Sequence, residues 1–437
     1  MRDIWDGLPV LAQDLVVALA LVAPLLVLGA ALVRRFRPWP LVGALMWRYR
    51  WANVLFVSLI AISVGMGIGL ISQERGLRDG MARAADKFDL VVAAPGSELT
   101  LMRAAVFLQP SDVPLLDGET YNEIAAHERV KIAAPIAFGD SYGDAPVLGT
   151  IAEFVTHLTD GALDGRMWRT SSEAIVGAAV PLGIGDRFTP AHGVGDTAEQ
   201  GAHDGVELEV VGRMPRTGTP WDRSILIPVE AVWEVHGLAN GHAPERGDQI
   251  GPPFDARYFP GTPAIIVRSE ELWASYALRS EFTRDNETMA FFPGTVLANL
   301  YRVMGDVRQT MSVMAVVTQI LVGASVLLGL FILSRLFQRQ LGMLRAIGAP
   351  RRFVMSVVWL YGVALLAAGT VLGMLVGLGA ARIISGIVTE RTDVLVKAGL
   401  GWSEAHLALG FLAETGFLSL LPALIVLRQG IAESLRS

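Results

Sequence analysis

His192 and His203, with Asp196 and Asp204, fall in one glycine-rich stretch, Ala191 to Gly205. Neutral imidazole and carboxylate are donors that suit zinc. Their spacing is irregular and matches no defined metal motif. The stretch therefore reads as an exposed, solvated loop, with His192 and His203 as weak candidate ligands and no metal site assigned. His127, His157, His236, His242 and His406 are scattered. Glu414 is a second group of interest, because it is an acid inside an apolar run. An ionisable group in hydrocarbon is costly, which points to a substrate or proton role, or to a local partner such as Thr318 or Gln319. The sequence has no G-x-S-x-G, no H-E-x-x-H and no G-x-x-x-x-G-K-[ST] stretch. It has no cysteine, so disulfides, thiolate zinc sites and cysteine nucleophiles are excluded. No catalytic residue and no cofactor are assigned to the chain, and nucleotide phosphates cannot be cradled by a P-loop.

A third group is the basic segment from Arg339 to Arg352. Leu341, Leu344 and Ile347 are three apart and should share one helix face, with Arg345 off that face. Gly348-Ala349-Pro350 ends the helix. A short amphipathic helix of this kind can lie at an interface and dock into a partner's groove. Its arginines, Arg339, Arg345, Arg351 and Arg352, would also serve merely to set membrane topology. A fourth group is Gly369, Gly373 and Gly377, four apart on a long uncharged run. Such a ridge lets helices approach closely in lipid, either within the chain or at a dimer seam. Gly65, Gly67 and Gly69 sit two apart and should not form one ridge.

These groups are carried by long apolar elements. Of 437 residues, 52% are hydrophobic and only 18% charged, and the deficit of charge is concentrated in a few runs. A helix needs about 20 apolar residues to cross a bilayer. Five runs qualify: Leu15 to Val33, Ala52 to Ser72, Met311 to Ser334, Phe353 to Ala381 and Leu407 to Leu427. The first is read as a retained helix rather than a signal peptide. Acids flank its start, and its strong charges, Arg34, Arg35 and Arg37, follow it. The stretches 34–51 and 335–352 each carry five arginines and no acid. Both fall inside if the N-terminus is outside, which puts the long insert after Ser72 outside as well. The net charge of −6 gives no reason to expect a nucleic-acid partner.

The insert has the composition of a soluble domain. Strand-length apolar runs recur between turn signals: Asp89-Leu-Val-Val-Ala, Glu173-Ala-Ile-Val-Gly, Val206 to Gly212, Ser224-Ile-Leu-Ile-Pro and Ala264-Ile-Ile-Val-Arg. Helices are expected over Ser111 to His127 and Glu270 to Phe282. The fold expected is a multi-pass α-helical membrane protein with a mixed α+β extracytoplasmic domain between spans two and three. Residues 1–40 hold an N-terminal span, and 41–72 an amphipathic basic helix and the second span. Residues 73–309 hold the outer domain with helical stalks at both ends. Residues 310–437 hold three spans, with the loop helix at 335–352.

Several segments resemble the FtsX-like, MacB-like permease family, the membrane subunits of type VII ABC transporters. The clearest is Arg339-Gln-Leu-Gly-Met-Leu-Arg-Ala-Ile-Gly-Ala-Pro-Arg-Arg, where Gln340 replaces the family's acid. Others are Ala44-Leu-Met-Trp-Arg-Tyr-Arg-Trp-Ala-Asn, Glu173-Ala-Ile-Val-Gly, and Val210-Val-Gly-Arg-Met-Pro-Arg-Thr-Gly-Thr-Pro-Trp-Asp-Arg. The resemblance runs from about Leu41 to the end, so the first span is extra to the usual four. It implies a non-catalytic permease subunit in the inner, cytoplasmic membrane. ATP and Mg would be bound by a separate ABC ATPase that contacts the 335–352 helix. A second permease copy or a related permease, membrane lipid and a periplasmic protein are the other implied partners. The implied activity is transmission of ATP-driven movement to the outer domain, for export or for handling lipoproteins or peptides. The alternative is a membrane scaffold that recruits and activates an extracytoplasmic enzyme such as a wall hydrolase.

Overall fold

The structure is a computed structural model. It describes Trp5 and residues 7–109, 111–193, 199, 205–284, 286–336, 338–392 and 394–428, with some side chains of the Pro293–Leu336 helix left out. The chain divides into two compact units. The first comprises Met1–Gly76, Asp306–Gly386 and Lys397–Ser437; the second comprises Leu77–Gly305 and Ile387–Val396.

The first unit is helical. Four helices among the described residues are long and apolar enough to cross a membrane: Val10–Val33, Arg50–Ala85, Arg351–Thr392 and Trp402–Ile425. The expected third span, Met311 to Ser334, lies within the continuous helix Pro293–Leu336. Half of its side chains, Thr318 and Gln319 included, lie outside the described residues. Rows of large apolar side chains are exposed on these helices, among them Leu19, Leu26, Leu55, Ile62, Leu375 and Ile383. Surfaces of this kind are covered by lipid or by other apolar partners.

Glycines set how these helices pack. A Cβ at Gly369 would stand 2.6 Å from Ile60, one at Gly373 2.9 Å from Val64, and one at Gly377 2.4 Å from the Gly65 carbonyl oxygen. The ridge is therefore filled by the chain's own Arg50–Ala85 helix, not left open as a seam for a second copy. Gly65 and Gly69 both face Gly377, while Gly67 faces Leu407. The three glycines thus do not form one ridge, as expected, but two of them do share a face. Gly65 and Gly69 are one helical turn apart and fall on the same face.

The contacts also fix direction. Ile60, Val64 and Gly65 meet Gly369, Gly373 and Gly377 in ascending order, so the two helices run parallel. Their starts, with Arg48 and Arg50 on one and Arg351 and Arg352 on the other, therefore lie at one end. The Phe36 and Phe353 rings pair edge to face there, 5.8 Å apart. At the opposite end His406 Nε2 lies 3.0 Å from the Asp14 carbonyl oxygen. Further along, Leu25 packs on Gly416, and the Trp359 indole donates to the Gly416 carbonyl at 3.0 Å. The N-terminal helix thus runs parallel to Trp402–Leu418 and packs against it.

The second unit is a mixed α/β domain. Its strands are β1 (Leu90–Ala93), β2 (Val130–Tyr142), β3 (Ala145–Thr150), β4 (Asp164–Gly165), β5 (Glu173–Val176), β6 (Arg187–Phe188), β7 (Ala191–His192), β8 (Leu208–Arg213), β9 (Ile225–Pro228), β10 (Ala264–Ser269) and β11 (Met289–Phe291). They join in the order β11-β1-β10-β2-β3-β9-β5-β8-β4, with β6 on β8 and β7 on β2. The β3/β9 and β5/β8 pairs are parallel and the others antiparallel. Continuous apolar runs such as β1 and β9 are buried throughout, as strands covered on both faces must be. The Ala152–Leu158 and Val229–Val235 helices supply part of that cover. Trp221 is fully buried, packs on Phe88 and Phe154, and donates its indole N–H to the Val106 carbonyl at 3.1 Å. The helix expected over Ser111 to His127 is shorter, Gly118–Ala125. Leu116 bridges Thr262 as extended chain, and the Asp117 carboxylate caps the helix by accepting from Thr120 N at 2.9 Å.

Candidate functional site

In the second unit the motif turn from Arg213 to Arg223 is built around Asp222. The Asp222 carboxylate accepts from Thr217 N and Thr217 Oγ1, both at 2.7 Å, and from Gly218 N at 2.8 Å. Asp222 is buried, and three donors satisfy its charge. Gly177 gives the turn room, since a Cβ there would stand 2.3 Å from the Asp222 carbonyl oxygen. The Arg213 guanidinium holds the neighbouring loop by donating to the carbonyls of Ala178, Val180 and Leu182. Gly218 has φ +73, a left-handed conformation that favours glycine.

That turn receives the arm Ile387–Val396, the end of the Arg351–Thr392 helix and the residues beyond it. Leu395 N donates to the Gly218 carbonyl at 3.1 Å, and Arg83 Nη1 donates to the Leu395 carbonyl at 3.2 Å. A Cβ at Gly80 would lie 2.9 Å from both the Leu395 carbonyl oxygen and Val394 Cγ1. The arm is thus held between the C-terminal end of the Arg50–Ala85 helix and the motif turn. A pocket of about 270 Å³ adjoins the turn, lined in part by Arg83, Lys87, Asp160 and Arg216. Lys87 and Asp160 pair at 2.5 Å on its rim.

In the first unit the next stretch of chain is latched to the same helix. Ser72 and Gly399 exchange two hydrogen bonds, at 3.0 and 3.1 Å. Arg75 donates to Glu404 at 2.8 Å and to the Gly399 carbonyl. Glu404 is fully buried and also accepts from Gly401 N at 2.9 Å. Neither the arm nor this latch is foreseen by motif reasoning. A local hint is the glycines at 80, 218 and 401, where a Cβ would crowd the arm or the latch.

The basic loop contains the helix Gln338–Ala346 and a turn at Gly348, φ +107, before the Arg351–Thr392 helix begins. Leu341 is buried and Leu344 half-buried against the helical core. Ile347 is 86% exposed and does not share their face. The helix ends at Ala346, so the three-residue spacing no longer holds at Ile347. Met343 and Ile347 instead form an exposed apolar pair, with Arg339, Arg351 and Arg352 exposed nearby in sequence and Arg345 half-buried. Glu414 is exposed on its helix, with no hydrogen-bond or ion-pair partner among the described residues.

His203, Asp196 and Asp204 lie outside the described residues. His192 is brought instead to His236, which sequence left among the scattered histidines, and to Asp140. His236 Nε2 is 3.3 Å from His192 Nδ1, and Asp140 Oδ1 is 3.4 Å from each. The Asp140 carboxylate raises the pKa of His236, against the opposing effect of burial. No sequence motif links the three, because they come from β2, β7 and the end of a helix.

No family model matches this chain, and no curated protein matches it. Two solved structures are similar in part. One is the periplasmic region of MacB from Actinobacillus actinomycetemcomitans, with 10% identity over 50% of this chain and 95% of that one, at a TM-score of 0.31. The other is the extracellular domain of the noncanonic ABC-type transporter YknZ from Gram-positive bacteria, with 12% identity over 46% of this chain and 98% of that one, at a TM-score of 0.26. At these scores neither likeness bears on function, which is argued from the residues.

Proposed function

We propose that this chain is the membrane subunit of an ABC-type machine and carries movement from one side of a membrane to the other. The observation that supports this most is one continuous helix, Arg351–Thr392. It starts at the basic loop and ends in the arm clasped by Arg83 and Gly218. At about 1.5 Å per residue its 42 residues span about 63 Å, roughly twice a bilayer core. In this reading a push at its base would travel along the helix toward the arm at its end.

The push would come from a separate ATPase docking on Met343, Ile347 and the surrounding arginines. ATP and Mg would be bound there and not by this chain. Two permease copies, or a related pair, would work with two ATPase chains, in the inner membrane. The work done outside would be export or the handling of lipoproteins or peptides.

Reversing Arg345 to Glu should leave the chain folded and abolish stimulation of the co-assembled ATPase. The test compares ATP turnover by wild-type and variant complexes purified in mild detergent. Normal stimulation by the variant would remove the coupling role, and purification with no ATPase after crosslinking would remove the ABC reading altogether.

A further inference from the structure

The cluster of Asp140, His192 and His236 has the geometry of a metal centre. The three facing atoms form a nearly equilateral triangle with edges of 3.3, 3.4 and 3.4 Å. All three lie within the reach of a single ion. Zinc bonds imidazole nitrogen and carboxylate oxygen at about 2.0–2.2 Å, in a tetrahedron. Two ligands at about 2.05 Å and a tetrahedral angle stand about 3.3 Å apart. The observed edges are therefore those of one tetrahedral face. The centre of the triangle is about 1.9 Å from each corner, so an ion slightly above the plane would reach all three at ordinary bond lengths.

The supports of the triangle point the same way. His236 Nδ1 lies 2.7 Å from the Val232 carbonyl oxygen. A carbonyl only accepts, so Nδ1 carries a proton, which leaves Nε2 as the nitrogen that would bind an ion in place of its own proton. Metal-bound histidines are commonly fixed by such a bond on the far nitrogen. Asp140 and His192 are direct cross-strand partners between β2 and β7, so they are held by a ladder. The β2 register shifts between Phe138 and Asp140, a bulge that re-aims the carboxylate. Ser141 Oγ donates to the Gly193 carbonyl at 2.7 Å, and Gly193 N donates to the Gly139 carbonyl at 2.7 Å, which ties β7 to that bulge. The Asp140 side chain is only 2% exposed. A carboxylate so buried is favourably placed to share a divalent ion with the two histidines beside it. The His192 side chain is 49% exposed, which leaves a way in from solvent.

We propose that Asp140, His192 and His236 bind one divalent transition-metal ion of the zinc type. Imidazole donors select such an ion over magnesium or calcium, which take oxygen ligands. Three protein ligands leave a tetrahedral position for water or another donor. The site stands independently of any ATPase, so its fate does not depend on the proposed transport role.

The test uses the full chain in detergent, stripped with a chelator and titrated with zinc against a chromophoric competitor. One equivalent should bind with a dissociation constant below a micromolar, and magnesium should not compete. His192→Ala and His236→Gln should each weaken zinc binding by at least about tenfold, and X-ray absorption of the loaded protein should show nitrogen and oxygen ligands at about 2.0 Å, including imidazole. A bulkier residue offers a second route. A Cβ at Gly139 would sit 3.2 Å from the His236 ring, so Gly139→Val should weaken binding with all three ligands present. If His236→Gln fails to fold, the more exposed His192→Ala decides. No saturable equivalent, or one that persists undiminished in His192→Ala, would overturn the proposal and leave a plain His236–Asp140 ion pair.

Discussion

The buried charge of Glu404 makes Arg75 a decisive residue. Removing one partner of a buried pair leaves the other uncompensated and costs about 3–5 kcal/mol. Arg75→Met should therefore lower the thermal midpoint of the detergent-solubilised chain by several degrees, and Arg75→Met with Glu404→Leu should recover most of the loss. A single variant that melts with the wild type would show that the latch contributes nothing. Glu230 makes the opposite case, in the α/β unit. It is 1% exposed, accepts from Gly251 N at 2.6 Å and lies 3.4 Å from His242 Nε2. Burial pushes its pKa from an ordinary 4.5 up to about 7. The folded state thus holds the proton more tightly than the unfolded state. The associated stability is complete below about pH 4.5 and is lost as pH rises to about 7. Glu230→Gln should flatten the decline of the melting midpoint between pH 5 and 7 and raise the midpoint at pH 8, the gain in stability there being at most about 3 kcal/mol. An unchanged pH slope would refute the assignment. None of these residues was legible beforehand. Arg75 and Glu404 are hundreds of positions apart, and nothing local distinguishes Glu230 from any surface acid. His236 escaped for the same reason, since its partners come from two strands that only the folded sheet brings together.

At the scale of elements, periodicity and apolar run length did most of the work. The strands near Asp89, Glu173, Val206, Ser224 and Ala264 all form, because each is a short apolar run bounded by turn residues. The longest strand, β2, was missed. It carries Pro135 and Gly139, both poor strand residues, and its bulge breaks the alternation that marks a strand. The glycine ridge was legible as a packing device, but not its partner, because helix contacts in three dimensions are not written in spacing. Its energetic role can be isolated with a matched pair. Gly377→Ala would place a methyl 2.4 Å from the Gly65 carbonyl, whereas a Cβ at Gly379 meets nothing within 4 Å. The two changes are chemically identical and lie two residues apart. Gly377→Ala should destabilise the helical unit by at least 1–3 kcal/mol, read as a lower melting midpoint, and Gly379→Ala should not. Equal effects would mean that these helices do not pack through the ridge.

At the scale of the whole molecule, the absence of cysteine is a practical advantage. Any introduced pair reports on itself alone. Gly80 and Val394 suit such a pair: a Cβ on residue 80 would be 2.9 Å from Val394 Cγ1. In a disulfide the corresponding Cβ-to-sulfur separation is about 3.0 Å. Gly80→Cys with Val394→Cys should therefore form a bond under oxidation and fix the arm to the C-terminal end of the Arg50–Ala85 helix. ATP turnover in the assembled complex should fall on oxidation and return with reductant. Full turnover in the crosslinked state would mean that the arm does not move during the cycle. The long apolar helices followed from the length of the uncharged runs. The arm and the latch did not, since both depend on where a loop of ordinary sequence comes to rest.

The parallel glycine interface has a further property. Gly65 and Gly69 on one helix face Gly377 on the other, and Gly373 lies four residues before it. Shift the Arg351–Thr392 helix by four residues, about 6 Å, and glycine still meets glycine near Gly65, but Leu365 arrives where Gly369 now receives Ile60. The row therefore behaves as a lock cut for one depth: sliding it would mean lifting one large side chain over another. Movement along this seam is opposed, so any displacement of one helix would carry the other with it.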